Sequence, residues 1–249
     1  MDAERMIESL DPAIFALESQ TTVNDRISLL RLQRFVRHQA GSYRYLETGS
    51  HLGGSLLPHL ADPRCAKVVS IDPRPASQPD ERGTIFRYDD NSTERMIAGL
   101  RKHLSEANLC KLETFDLDAA AVPASRVGRT IQLALIDGEH TNVACFSDFL
   151  SVFTMLADDA VIAYHDANLI PDAIQNVERF LTYSGISFRS FFLPDCVAAI
   201  GIRGMADTLA TDLAAVAIDR RLFLSAARRM INGTVALATL AQCHFDATK

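Results

Sequence analysis

The sequence predicts an α/β domain built on a mostly parallel sheet, and three stretches carry that expectation. The first is Tyr43 to Asp72, where an apolar run ending on Glu47 passes through a glycine-bearing turn and a helical segment to a second apolar run, Val68 to Ile71, that ends on Asp72. The second is the pair Ile131–His140 and Ala160–Asn168, two apolar runs separated by a helical pattern. The third is Gly185–Ile202, two strand-like runs around a turn at Leu193–Asp195. Repeated strand, helix, strand units put their strands in one parallel sheet, because such crossovers are right-handed.

Taken in order, residues 1 to about 20 read as an irregular or weakly helical lead-in. From Asn24 to His38, Ile27, Leu30, Leu32, Phe35 and Val36 alternate with arginines as an amphipathic helix that packs on the sheet or caps the cleft at its edge. The segment 1–42 is thus helical and precedes the main domain, residues 43–202. After Asp72, three prolines in PRPASQPDERG make a loop, and Thr84–Tyr88 is a short strand. Asn91, with Glu94 three residues on, is placed to cap the next helix. Lys111–Phe115 is a strand, and Asp116 and Asp118 follow it. Ile131–Ile136 is nearly all apolar, as a strand buried on both faces should be. Residues 203–249 form a helical extension, with a break expected at Gly233 and a solvated face at Arg220, Arg221, Arg228 and Arg229. The extension could lid a pocket, pack on the domain or join two copies into a homo-oligomer.

A chain of 249 residues with 48% hydrophobic residues can bury a full core. The net charge of -6 gives no general attraction to polyanions, so neither nucleic acid nor an anionic membrane is the expected partner. No apolar run is long enough to span a bilayer and the start lacks signal-peptide order, so a cytoplasmic protein is expected. The cysteines Cys65, Cys110, Cys145, Cys196 and Cys243 are scattered and odd in number, which argues for reduced thiols, mostly buried.

The turn after the first strand reads E-T-G-S-H-L-G-G-S. It lacks the G-x-G-x-x-G of a dinucleotide site and the G-x-x-x-x-G-K-[ST] of a phosphate loop. The pattern resembles the first motif of the class I S-adenosylmethionine-dependent methyltransferases. That resemblance implies a Rossmann-like sheet of seven strands with an antiparallel hairpin at its edge, and a cofactor site at Glu47, Gly49, Ser50, Gly53, Ser55, Asp72, Asp118 and Asp137. In it Glu47 suits the cationic end, Asp72 the ribose and Asp118 the adenine.

Topology then gathers the strongest chemical signal. The two later strands end in D-G-E-H, Asp137 to His140, and H-D-A-N, His165 to Asn168, so Asp137, His140, His165 and Asp166 converge on one rim. This pair of ends resembles the metal-dependent O-methyltransferases acting on catechols and macrolide sugars. Carried over, the resemblance makes Asp137, His165 and Asp166 the ligands of a divalent metal, magnesium or manganese, and His140 the base. His165 departs from the oxygen ligand that magnesium prefers. The other histidines, His51, His59 and His103, read as packed or solvent-facing. The expected function is methyl transfer from S-adenosylmethionine to a small-molecule hydroxyl. The alternatives are a nicotinamide oxidoreductase, a metal-dependent hydrolase using the same rim, and a non-catalytic binding protein. The whole reading requires Glu47, Asp72, Asp137 and Asp166 to line one groove.

Overall fold

The computed structural model describes residues 2–247, with side chains as far as residue 239. Along the chain run α1 (Ala3–Ser9), α2 (Val23–Ala40), β1 (Tyr43–Thr48), α3 (Leu56–Ala61), β2 (Cys65–Ile71), β3 (Ser77–Pro79), β4 (Ile85–Arg87), α4 (Thr93–Leu100), α5 (Glu106–Leu109), β5 (Leu112–Phe115), α6 (Ala124–Val127), β6 (Ile131–Ile136), α7 (Asn142–Phe153), β7 (Leu156–Tyr164), α8 (Pro171–Tyr183), β8 (Phe188–Phe192), β9 (Ala198–Ile202), α9 (Gly204–Leu213) and α10 (Arg220–Ala247).

Seven strands form one sheet in the order β5-β2-β1-β6-β7-β9-β8, and β3 pairs with β4 in a separate hairpin. The pairs β5–β2, β2–β1, β1–β6 and β6–β7 are parallel, while β9 runs antiparallel to both β7 and β8. This is the expected seven-stranded sheet with its antiparallel edge hairpin. Chain order reverses between β1 and β6, and open sheets of this kind bind ligands where it does so.

The sheet is buried on both faces because successive side chains point opposite ways. Ala134, Ile136, Ile162 and Tyr164 pack with Phe149, Val152 and Val177 on one side, whereas Leu133, Leu135, Val161 and Ala163 pack with Leu30, Phe35 and Leu57 on the other. That is why these strands read as continuous apolar runs. At full burial each such aliphatic side chain contributes about 1.5–3 kcal/mol.

Several local expectations are corrected. The lead-in holds α1, and Ile7, Ile14 and Phe15 are buried in the core. Ser92, not Asn91, caps α4: its side chain accepts from the Arg95 N–H, while the Asn91 amide donates to the Pro75 carbonyl. Helix α10 runs through Gly233 without a break. An internal glycine costs only about 1 kcal/mol against alanine, too little to interrupt a 28-residue helix. Arg220 and Arg228 are not simply solvated, since they pair with Glu178 and Asp172 of α8. Of the cysteines, Cys65, Cys145 and Cys196 are buried free thiols and Cys110 is exposed; the Cys243 side chain lies outside the described residues. Among the described residues no helix is long and apolar enough to cross a membrane.

Candidate active site

The carboxyl ends of the parallel strands are laced together by backbone bonds. The Gly49 N–H donates to the Ile71 carbonyl at 2.9 Å, Asp137 N–H to Thr48 at 3.1 Å, His165 N–H to Ile136 at 3.2 Å and Asp72 N–H to Phe115 at 3.0 Å. The residue just past each strand is therefore fixed at the sheet edge. Above that edge lies an open cleft, lined among others by Gly49, Ser50, Ser55, Asp72, Asp137, His140, His165 and Asp166. Its other wall comes from Glu18–Thr21, ahead of α2, and from Tyr88 and Asn91.

The glycines of the first turn serve chain packing more than ligand approach. A Cβ on Gly49 would lie 2.0 Å from the Asp137 carbonyl oxygen, one on Gly53 would lie 2.9 Å from the Met96 side chain, and one on Gly54 would lie 2.6 Å from Ser19. Three non-glycine residues with positive φ lie at or beside the cleft: His51 (43°), Arg74 (56°) and Asp166 (48°). Strained backbone of this kind costs of order 1–3 kcal/mol and persists only where neighbours hold it. At His51 and Arg74 it is Asp72 that does the holding. Its Oδ2 accepts from the His51 N–H and its Oδ1 from the Arg74 N–H, both at 2.8 Å, and the Arg74 guanidinium donates back to the His51 carbonyl.

At the other end of the cleft two imidazoles bridge two carboxylates. His140 Nε2 lies 3.2 Å from Asp166 Oδ2 and 3.5 Å from Asp137 Oδ1. His165 Nδ1 lies 3.1 Å from Asp137 Oδ1 and 3.3 Å from Asp166 Oδ2. Burial opposes the charged form of both rings, but the carboxylates outweigh it: His140 is raised above its ordinary value, and His165 is raised well above it. Burial likewise opposes the Asp137 anion, yet the two imidazoles hold its carboxyl down to about 2. The β3–β4 hairpin fixes His140 from outside. The Glu81 N–H donates to the His140 carbonyl at 3.1 Å, and the Phe86 ring meets the imidazole edge-on.

Three sequence-derived site residues, Glu47, Gly53 and Asp118, lie off this surface, and His165 sits differently from expectation. Glu47 is fully buried. Ser55 and Tyr45 donate to its two oxygens, and burial raises its pKa to about 8, with Asp137 and Asp72 adding to the effect. A neutral, enclosed acid cannot meet a cation, so of the four carboxylates expected in one groove only Asp72, Asp137 and Asp166 line it. Asp118 is exposed at the start of a short 3₁₀ turn and does not line the cleft. Gly53 packs under α4. His165 lines the cleft but turns its Nε2 away, toward Asp25 and Cys196, and His140 instead completes a compact group with Asp137 and Asp166. Sequence reasoning missed Ser19, Gln20 and Thr21, which carry no motif, and His51, whose role is set by a backbone bond that composition does not announce.

The wall chemistry fits the cofactor that the resemblance implies. Asp72 keeps lone pairs for ribose hydroxyls, and the acids Asp72, Asp137 and Asp166 suit a cationic ligand. Asp137 and Asp166, each with a carboxylate oxygen within 4.8 Å of the other, fit a divalent ion such as magnesium or manganese, which leaves His140 Nε2 free to act as a base.

Residues 46–167 match the family model of a methyltransferase domain. Among solved structures, a cofactor-bound protein from MTB superposes with a TM-score of 0.52 at 14% identity, covering 82% of this chain and 90% of that one. A putative caffeoyl-CoA O-methyltransferase from Staphylococcus aureus gives 0.50 at 12% identity, over 82% and 93%. The methyltransferase domain of bacterial CtHen1-C gives 0.50 at 12%, over 70% and 97%. No curated protein matches the chain. The likeness to these structures is one of fold, and it agrees with the methyltransferase domain matched over residues 46–167.

Proposed function

We propose that this protein is a class I S-adenosylmethionine-dependent methyltransferase acting on a hydroxyl oxygen of a small-molecule acceptor, with His140 taking up the proton. One observation supports the reading above others: His140 and Asp166 line both the cleft and a second hollow beside it, whose other walls are Gln20, Arg82, Phe86, Asn168 and Leu169. The imidazole stands at the partition between a donor chamber and an acceptor entrance. Bound S-adenosylmethionine would supply an electrophilic methyl group on a sulfonium. Asp72 holds the ribose end, the Gly49–His51 turn aligns the chain of the donor, and Asp137 offers a negative wall. A divalent ion on Asp137 and Asp166 would lower the acceptor hydroxyl's pKa. His140 then removes the proton, a task worth about 10²–10⁴-fold in rate.

The test separates the roles. His140→Ala is expected to cut kcat by about 10²-fold or more while leaving the calorimetric affinity for S-adenosylhomocysteine nearly intact. Asp72→Ala is expected to weaken that affinity. Equal loss of cofactor binding in both variants would reject the assignment, and full turnover in EDTA-stripped protein would remove the ion from it.

A further inference from the structure

Behind the cleft, three chemically different donors meet in the interior. Asp25 in the first turn of α2, His165 past β7 and Cys196 in the β8–β9 turn are all buried, at 0%, 4% and 8% exposure. His165 Nε2 lies 3.5 Å from Asp25 Oδ2 and 3.5 Å from Cys196 Sγ, and Cys196 Sγ lies 3.4 Å from Asp25 Oδ1. The nitrogen–oxygen distance is long for a charged pair in direct contact. The nitrogen–sulfur spacing agrees with the edge of a coordination tetrahedron, since zinc bonds of about 2.3 Å to sulfur and 2.0–2.1 Å to nitrogen set those two ligands roughly 3.5 Å apart; Asp25 turns a different oxygen to each of them, and one ligand atom from each of the three residues lies within 4.8 Å of the other two.

The surroundings orient these donors as outer partners orient metal ligands. The Thr22 N–H donates to Asp25 Oδ2 at 2.9 Å and the Cys196 N–H donates to Asp25 Oδ1 at 3.2 Å, so backbone bonds fix both carboxylate oxygens beside the imidazole and the thiol. On the far side of the ring, His165 Nδ1 is hydrogen-bonded to Asp137 Oδ1 at 3.1 Å, the carboxylate–imidazole pairing that leaves Nε2 available to a metal. We infer that Asp25, His165 and Cys196 form a buried site for a divalent transition ion of the zinc class, distinct from the Asp137–His140–Asp166 rim. Thiolate and imidazole donors exclude magnesium and calcium. Binding releases two protons, one from the Cys196 thiol and one from His165 Nε2, and leaves thiolate, carboxylate and dication in charge balance. The ion would tie the start of α2, the catalytic edge of the sheet and the edge hairpin together at one point. It stands whatever the acceptor proves to be.

The test uses the full-length protein, stripped with chelator and given one equivalent of Co²⁺ in excess Mg²⁺. A thiolate-to-cobalt charge-transfer absorption is expected in the wild-type protein and in His140→Ala, and it should vanish in Cys196→Ser. Asp25→Asn should weaken Co²⁺ binding at least about 10-fold. Circular dichroism of each metal-free variant checks folding, and if Cys196→Ser does not fold, Asp25→Asn carries the comparison. A wild-type spectrum without the thiolate absorption would show a purely hydrogen-bonded cluster and overturn the inference, as would an absorption that persists in folded Cys196→Ser or is lost in His140→Ala.

Discussion

At Gly49 the backbone has φ +79°, and the Asp137 carbonyl occupies the place of a side chain. Gly49→Ala adds a left-handed alanine, about 1–2 kcal/mol, to a clash between two strands that cannot part. The expected result is a melting temperature lower by about 10 °C or more, or no soluble protein. Glu47 yields a pH signature. Its folded pKa near 8 lies above the ordinary 4.5, so the folded state holds a proton the unfolded chain has released. The Glu47 contribution is therefore fully present below pH 4.5 and is lost as pH rises toward 8. Glu47→Gln keeps a neutral side chain there and should flatten the fall in urea-unfolding free energy between pH 5 and 8; an unchanged slope would show Glu47 ionised in the fold. At this scale the sequence announced Asp72, Asp137, His140 and Asp166, because each stands at or just past the end of an apolar run. It hid the state of Glu47, which depends on Ser55 and Tyr45 closing over it. It also hid the orientation of His165, which depends on Asp25 from 140 residues earlier.

Among the elements, α10 shows what anchors a helix to a finished domain. Its arginine pairs to α8 are partly exposed, and such pairs are worth about 0–1 kcal/mol. Phe223 and Leu224, 8% and 3% exposed, bury into the cluster on that face of the sheet, where Phe223 packs on Phe192 at 4.6 Å between ring centroids. Leu224→Ala should thus cost about 2–5 kcal/mol and Arg228→Ala less than about 1 kcal/mol in urea unfolding; the reverse order would mean that charge, not burial, seats the helix. The sheet strands were readable because burial on both faces leaves unbroken apolar runs. The β3–β4 hairpin was only half readable: Ser77–Pro79 carries a proline and polar residues and is a strand solely because Ile85–Arg87 pairs with it. The capping of α4 slipped by one residue because Asn91 is drawn into the Arg74 and Pro75 loop instead.

For the molecule as a whole, sheet order was the informative quantity: the reversal between β1 and β6 gathers strand ends that lie far apart in the chain. The opposite wall of the cleft could not be read that way. Glu18–Thr21 precede the matched domain, carry no pattern, and reach the site only because α1 and α2 pack across the sheet. Arg26 donates to Thr21 and Ser19, which ties this stretch to α2.

That placement makes the amino-terminal stretch and any occupant of the cleft mutual guarantors. Each must favour the other's ordered state by the same free energy. S-adenosylhomocysteine should accordingly slow limited proteolysis within residues 16–22, and a single cut there should speed the ligand's escape. Protection without faster escape would break the reciprocity and leave the stretch a bystander.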